Sequence, residues 1–249
     1  MKDWFRSTWI RAVLAGVAVV GLLWAWWLYP TANRYSIFRC TISYLGSPDA
    51  DRNPDGWRVY QVGMTSLIAL MLGFLGDRHR RCARGAWSLS GAASVPLFAA
   101  MGLLLLSVWI PDSRSGDWFG MTSSQLHTRL AILAIPVMGL GLFLDTVGAF
   151  RDGMRFVTLW PAHLFAGLVG VGFWQLTEWE RMCRLDKGLK HWPGDGLHST
   201  PLWEWILFVY LVAHIAWMAR RRGARILGVR TPEVDPADGT GGSSNEWRR

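Results

Sequence analysis

Residues 12–29 read AVLAGVAVVGLLWAWWLY, eighteen consecutive positions without a charged side chain. As a helix rising ~1.5 Å per residue, such a run nearly spans the roughly 30 Å hydrocarbon core of a bilayer. Five more stretches of similar length and polarity follow, at Trp57–Leu75, Ala86–Ile110, Leu126–Ala149, Phe156–Thr177 and Leu202–Met218. Buried helices of soluble proteins are rarely so long and so uniformly apolar. The pattern therefore predicts an all-α fold, a polytopic integral membrane bundle of six transmembrane helices over residues 1–230. Beyond Arg230 the composition turns to Pro, Asp, Gly and Ser. Residues 231–249 bury too little apolar surface to offset the entropy of ordering, so a disordered cytoplasmic tail is expected there.

The 17 Trp residues test this division independently, because indole rings favour the headgroup level of a membrane. They fall at segment ends. Trp4 and Trp9 precede the first run and Trp24, Trp26 and Trp27 close it; Trp57 opens the second, and Trp87 and Trp109 bracket the third. Lys2, Arg6 and Arg11 precede the first run as they would in a signal peptide. The run is longer than a usual signal core and no Ala-x-Ala-like site follows, so it reads as a retained anchor.

Orientation follows from basic residues. Sixteen Lys and Arg fall on the side that holds both termini and nine on the other, with Arg129 left inside a helix. The richer side is expected to be cytoplasmic, in a cell-membrane protein. The net charge of +8 is thus read as a topology signal, and no nucleic-acid partner is expected. Membrane lipids are the expected partners, with other membrane subunits as a further class. Gly167, Gly170 and Gly172 form a small-residue pattern suited to close helix packing.

Candidate chemistry collects in the outer connections, where Ser43, Asp49, Asp51, Asn53 and Asp55 precede the second helix and Asp112 and Asp117 precede the fourth. His127 stands where the fourth begins, and His191, Asp195 and His198 lie before the last. Two arrangements fit these residue types. Ser43, His127 and Asp112 supply the nucleophile, general base and orienting carboxylate of a hydrolase. His127, His191 and His198 supply three zinc ligands with an open position for water. Solvated loop residues and helix caps are the plainer alternative. His163 and His214, entering from one face on two helices, are a candidate pair for haem or proton transfer. Cys40 and Cys183 both fall on the outer side and are a candidate disulfide, whereas Cys82 lies in the basic inner connection. Arg129 and Asp145 sit near opposite ends of one helix, about 24 Å apart, so they do not pair with each other.

The run Thr41-Ile42-Ser43-Tyr44-Leu45-Gly46, followed by Asn53-Pro54 and by Trp57 opening a helix, resembles the DUF998 family and, more distantly, the Frag1/DRAM/Sfk1 membrane proteins. Ser43, Asn53, Pro54, Asp112 and His127 match its pattern in order and in topological place, over roughly residues 35–150. The chain departs from it at Pro111-Asp112, which here are adjacent. The resemblance implies a six-helix bundle and lipid as the substrate class, but brings no activity. Asn53 and Arg129 are then the candidates for lipid or partner contact. The expected function is a non-catalytic membrane module that binds lipid or a partner. A lipid-modifying hydrolase or transferase working at the outer interface is the alternative, and a small transporter stands third.

Overall fold

The computed structural model describes residues 8–82, 89–151 and 199–220, with scattered positions between 164 and 185. Among the described residues, every element longer than a turn is helical. These are α1 (Thr8–Trp27), α2 (Trp57–Cys82), α3 (Leu89–Ala92), α4 (Ser94–Trp109), α5 (Ser123–Arg151) and α6 (Thr200–Arg220), with a 3-10 turn over Ile42–Gly46. Four of them, α1, α2, α5 and α6, are long and apolar enough to cross a bilayer. This is the architecture of a helical membrane protein.

The expected third span is broken and short. Pro96 has no N–H to offer the Ala92 carbonyl, and its ring would press on that carbonyl in an unbroken helix. The chain accordingly turns at Ala93, leaving a four-residue piece and an apolar α4 of 16 residues. The fifth expected span, Phe156–Thr177, lies almost wholly outside the described residues, although the positions described within it are helical. The expected tail also lies outside them.

α2 is the central helix. Of its apolar window 56% is buried, against 17% for α1, and it packs on α1, α4 and α6. Tyr60, Met64, Leu67, Ile68, Met71 and Leu75 recur at three and four residue intervals, so one stripe of α2 faces the core. Leu97, Ala100 and Met101 of α4, Met138 and Leu142 of α5, and Ile215 and Met218 of α6 complete it. The outer stripes of α1 and α5 carry exposed Val, Leu, Phe and Trp, as lipid contact requires.

α1 joins α2 through a glycine crossing. A Cβ added at Gly21 would stand 2.8 Å from the Gly63 Cα, so the two backbones touch. At Gly16, one and a half turns away, a Cβ meets nothing within 4 Å. Gly21→Leu is therefore expected to cost about 1–3 kcal/mol through overpacking. Thermal unfolding in detergent should show a clear drop in midpoint for Gly21→Leu and little change for Gly16→Leu. Of the glycines picked out from the sequence, a Cβ at Gly167 or Gly170 meets nothing within 4 Å among the described residues, and Gly172 lies outside them.

Candidate functional site

Two loops, 28–56 after α1 and 110–122 between α4 and α5, meet at one rim of the bundle. The first is tied into the helices rather than held above them. Asn53 does most of this: its Nδ2 donates to the carbonyls of Ala25 and Leu45 at 2.9 and 2.8 Å, and its Oδ1 accepts the Gly56 N–H at 3.2 Å. The Ser199 hydroxyl, at the start of α6, donates to the Phe38 carbonyl, and Glu204 accepts the Ile42 N–H at 3.3 Å. The Trp205 indole donates to Tyr35 Oη at 2.9 Å, and the Tyr35 hydroxyl donates to the Thr41 carbonyl. Tyr35 is stacked edge-on against both Tyr29 and Trp205.

Asp112 is the centre of the polar cluster. Its carboxylate is paired with Arg52 at 2.7 Å and accepts hydrogen bonds from the hydroxyls of Ser43, at 3.2 Å, and Ser124. Arg52 also donates to the Asp112 carbonyl at 3.1 Å, and its guanidinium lies 4.1 Å from the centre of the Tyr44 ring. Burial acts against the Arg52 charge, but Asp112, joined by Tyr44 and Asp49, holds the guanidinium above its ordinary value. Burial pushes the Tyr44 phenol up, so it stays protonated. A second layer is wetter. Asp49 accepts from Ser113 Oγ at 2.6 Å, and Arg114 donates to Asp51 at 2.9 Å. Slight burial works against the Asp51 charge, yet the hydrogen bond and charge of Arg114 bring its carboxyl below the usual range.

His127 stands apart from this cluster. Its Nδ1 is 2.8 Å from the Ser107 carbonyl oxygen and 3.0 Å from that of Ile110. Both partners are acceptors, so Nδ1 carries the proton. Gln61 of α2 donates to the neighbouring carbonyls of Val108 and Trp109 at 3.1 and 3.4 Å. The last carbonyls of a helix have no intrahelical partner. His127 and Gln61 supply those partners to α4, one from each flanking helix. Among the hydrogen bonds of the described residues, none joins His127 to Ser43 or Asp112, so the Ser–His–Asp order expected from sequence is replaced by direct Ser43–Asp112 contact.

The remaining candidates separate. Asn53 is fully buried and its amide is spent on the framework, which leaves no exposed face for a lipid or partner. Arg129 is exposed on α5 and lies against Met121. Cys40 is a buried free thiol, and Cys183, its expected partner, lies outside the described residues. His191, His198 and His163 also lie outside them. Among the described residues no group of three or more His, Cys, Asp and Glu has the geometry to hold a metal ion. His214 is buried on α6, with the Tyr210 hydroxyl 3.5 Å from its Nδ1 and the Trp217 ring beside it.

Away from the rim, Arg78 of α2 and Asp145 of α5 form a buried ion pair, with side chains 3% and 2% exposed. Arg78 Nη1 also donates to Ser94 Oγ of α4 at 2.9 Å. In sequence Arg78 lies beyond the expected end of the second span, and Asp145 lies near one end of the fourth. α2 runs to Cys82, past the expected end at Leu75, and carries Arg78 into the core. A run of four Arg around a helix end hides that inward turn.

No family model, curated protein or solved structure matches this chain.

Proposed function

We propose that this chain is a non-catalytic, six-helix module of the cell membrane that binds lipid headgroups or a partner subunit at its outer rim, with both termini in the cytoplasm. The observation that carries the reading is how the rim spends its polar groups. Asp112 is occupied by Arg52, Ser43 and Ser124, and His127 is occupied by two carbonyls of α4. His127 Nδ1 is thus oriented by carbonyls of α4 rather than by Asp112, and Asp112 is shared among Arg52, Ser43 and Ser124, which is how a framework is held rather than how a Ser–His–Asp relay is assembled. Removing Arg78 from the count of cytoplasmic basic residues leaves fifteen against nine, so the asymmetry behind the orientation persists. The DUF998-like order of Ser43, Asn53, Pro54, Asp112 and His127 supports the same six-helix plan.

Ser43 Oγ at 3.2 Å from Asp112 is the one contact that favours a lipid hydrolase or transferase instead. That reading needs the Asp112 carboxylate to take the serine proton while it also holds Arg52 and Ser124. The test is to reconstitute the full chain with fluorescent and acyl-labelled phospholipids and to record its bound lipids and subunits by native mass spectrometry. The module reading expects retained lipid or a stable subunit and no release of fatty acid or headgroup. Release that disappears in a folded Ser43→Ala variant would overturn it in favour of the hydrolase.

A further inference from the structure

The loop between α4 and α5 carries a tip that neither the core nor the polar cluster uses. Residues 116–121 read Gly-Asp-Trp-Phe-Gly-Met, and the Phe119 side chain is 96% exposed. The tip is built rather than slack. Trp118 and Met121 exchange backbone hydrogen bonds of 2.8 and 3.1 Å, Asp117 accepts the Gly120 N–H at 2.9 Å, and the Trp118 indole donates to Ser123 Oγ at 2.9 Å. Phe119 itself has φ 56, in the left-handed region, with Gly116 and Gly120 also at positive φ. A bulky aromatic residue is unfavourable in that conformation, and one so exposed recovers nothing from the fold. Its ring must find its contacts elsewhere.

The direction of the tip identifies where. It lies beside the first turns of α5, where Arg129 Nη1 donates to Met121 Sδ at 2.8 Å. Arg129 heads an exposed stripe of α5 that continues through Leu133, Pro136, Leu140, Phe143 and Phe150, at helical spacing and without another polar group. On a helix long enough to cross a bilayer, that stripe faces acyl chains. The tip therefore stands at the end of an apolar, exposed surface and brings Trp118, Phe119 and Arg129 to that end, the composition of a membrane interface belt.

We propose that residues 117–121 are a lipid-embedded anchor, with the Phe119 ring held at the boundary between headgroups and acyl chains of the adjoining leaflet. The proposal rests on the membrane-crossing helices and stands apart from the function assigned to the polar cluster. The test uses the full chain in phosphatidylcholine nanodiscs, with Cys82 and Cys183 changed to Ser and a nitroxide on Phe119→Cys. Buried Cys40 stays, and the same protein without the new cysteine sets the background. Folding is checked by gel filtration. The anchor expects molecular oxygen to relax the label severalfold more strongly than a water-soluble nickel chelate. A label relaxed equally or better by nickel lies in water and overturns the proposal. An immobilised label that excludes both reagents marks a protein contact at the tip and overturns it as well.

Discussion

Asp145→Ala is expected to lose about 3–5 kcal/mol of stability, the usual result of removing one partner of a buried ion pair. Whole domains are stable by only about 5–15 kcal/mol, so the variant should unfold or aggregate near physiological temperature. The cause is Arg78. Its guanidinium is held among α2, α4 and α5 by Asp145 and Ser94, and without the carboxylate a buried positive charge is left to the Ser94 hydroxyl and its remaining surroundings. Thermal unfolding in detergent, with gel filtration for dispersity, measures the loss. The charge-free double variant Arg78→Met/Asp145→Leu should recover most of it, because a well-packed apolar replacement removes both charges together. A double variant no better than Asp145→Ala would mean that the pair contributes through something other than mutual neutralisation.

Asn53→Ala should cost on the order of 3 kcal/mol, since it strands buried carbonyls of Ala25 and Leu45 and the Gly56 N–H together. The damage should be directional. Loop 28–56 would loosen from the end of α1, so limited proteolysis should cut there sooner than in the parent protein. Asn53→Asp should be no milder, because it keeps the acceptor for Gly56 but turns a carboxylate towards two carbonyl oxygens. If Asn53→Asp behaves like the parent, the amide hydrogens are not what holds the loop.

The rim shows where sequence reading reached and where it stopped. Ser43 and Asp112 were legible as a pair of interest, because small polar residues beside a helix start or end stand out between apolar runs. Their arrangement was not. The rotations of α4 and α5 put Asp112 on Ser43 and turned His127 towards the end of α4. Arg52 does not stand out in sequence, since one Arg among Asp51, Asn53 and Asp55 looks like any solvated loop residue. Only the packing of the 110–122 loop over it turned it into the partner of Asp112. The burial of Asn53 was hidden for a related reason: a buried amide and an exposed one have the same sequence signature.

What the sequence by itself determined is that α1, α2, α5 and α6 are long apolar helices and where they begin, although α2 runs on to Cys82, past the expected end at Leu75. Hydropathy summed over eighteen or more adjacent residues, with Trp marking the borders, is a local property that needs no partner. The interruption at Ala93 was not legible in this way, since Pro96 lies just beyond it while Pro136 stands inside an unbroken α5. The tertiary structure alone decided which polar groups meet. Arg78 and Asp145 are 67 residues apart, as Ser43 and Asp112 are 69 apart. Contact across such separations depends on helix rotation and on how closely backbones approach, as Gly21 and Gly63 let α1 and α2 do. Those quantities arise from the sum of all side-chain packing in the bundle, and no short stretch of sequence carries them.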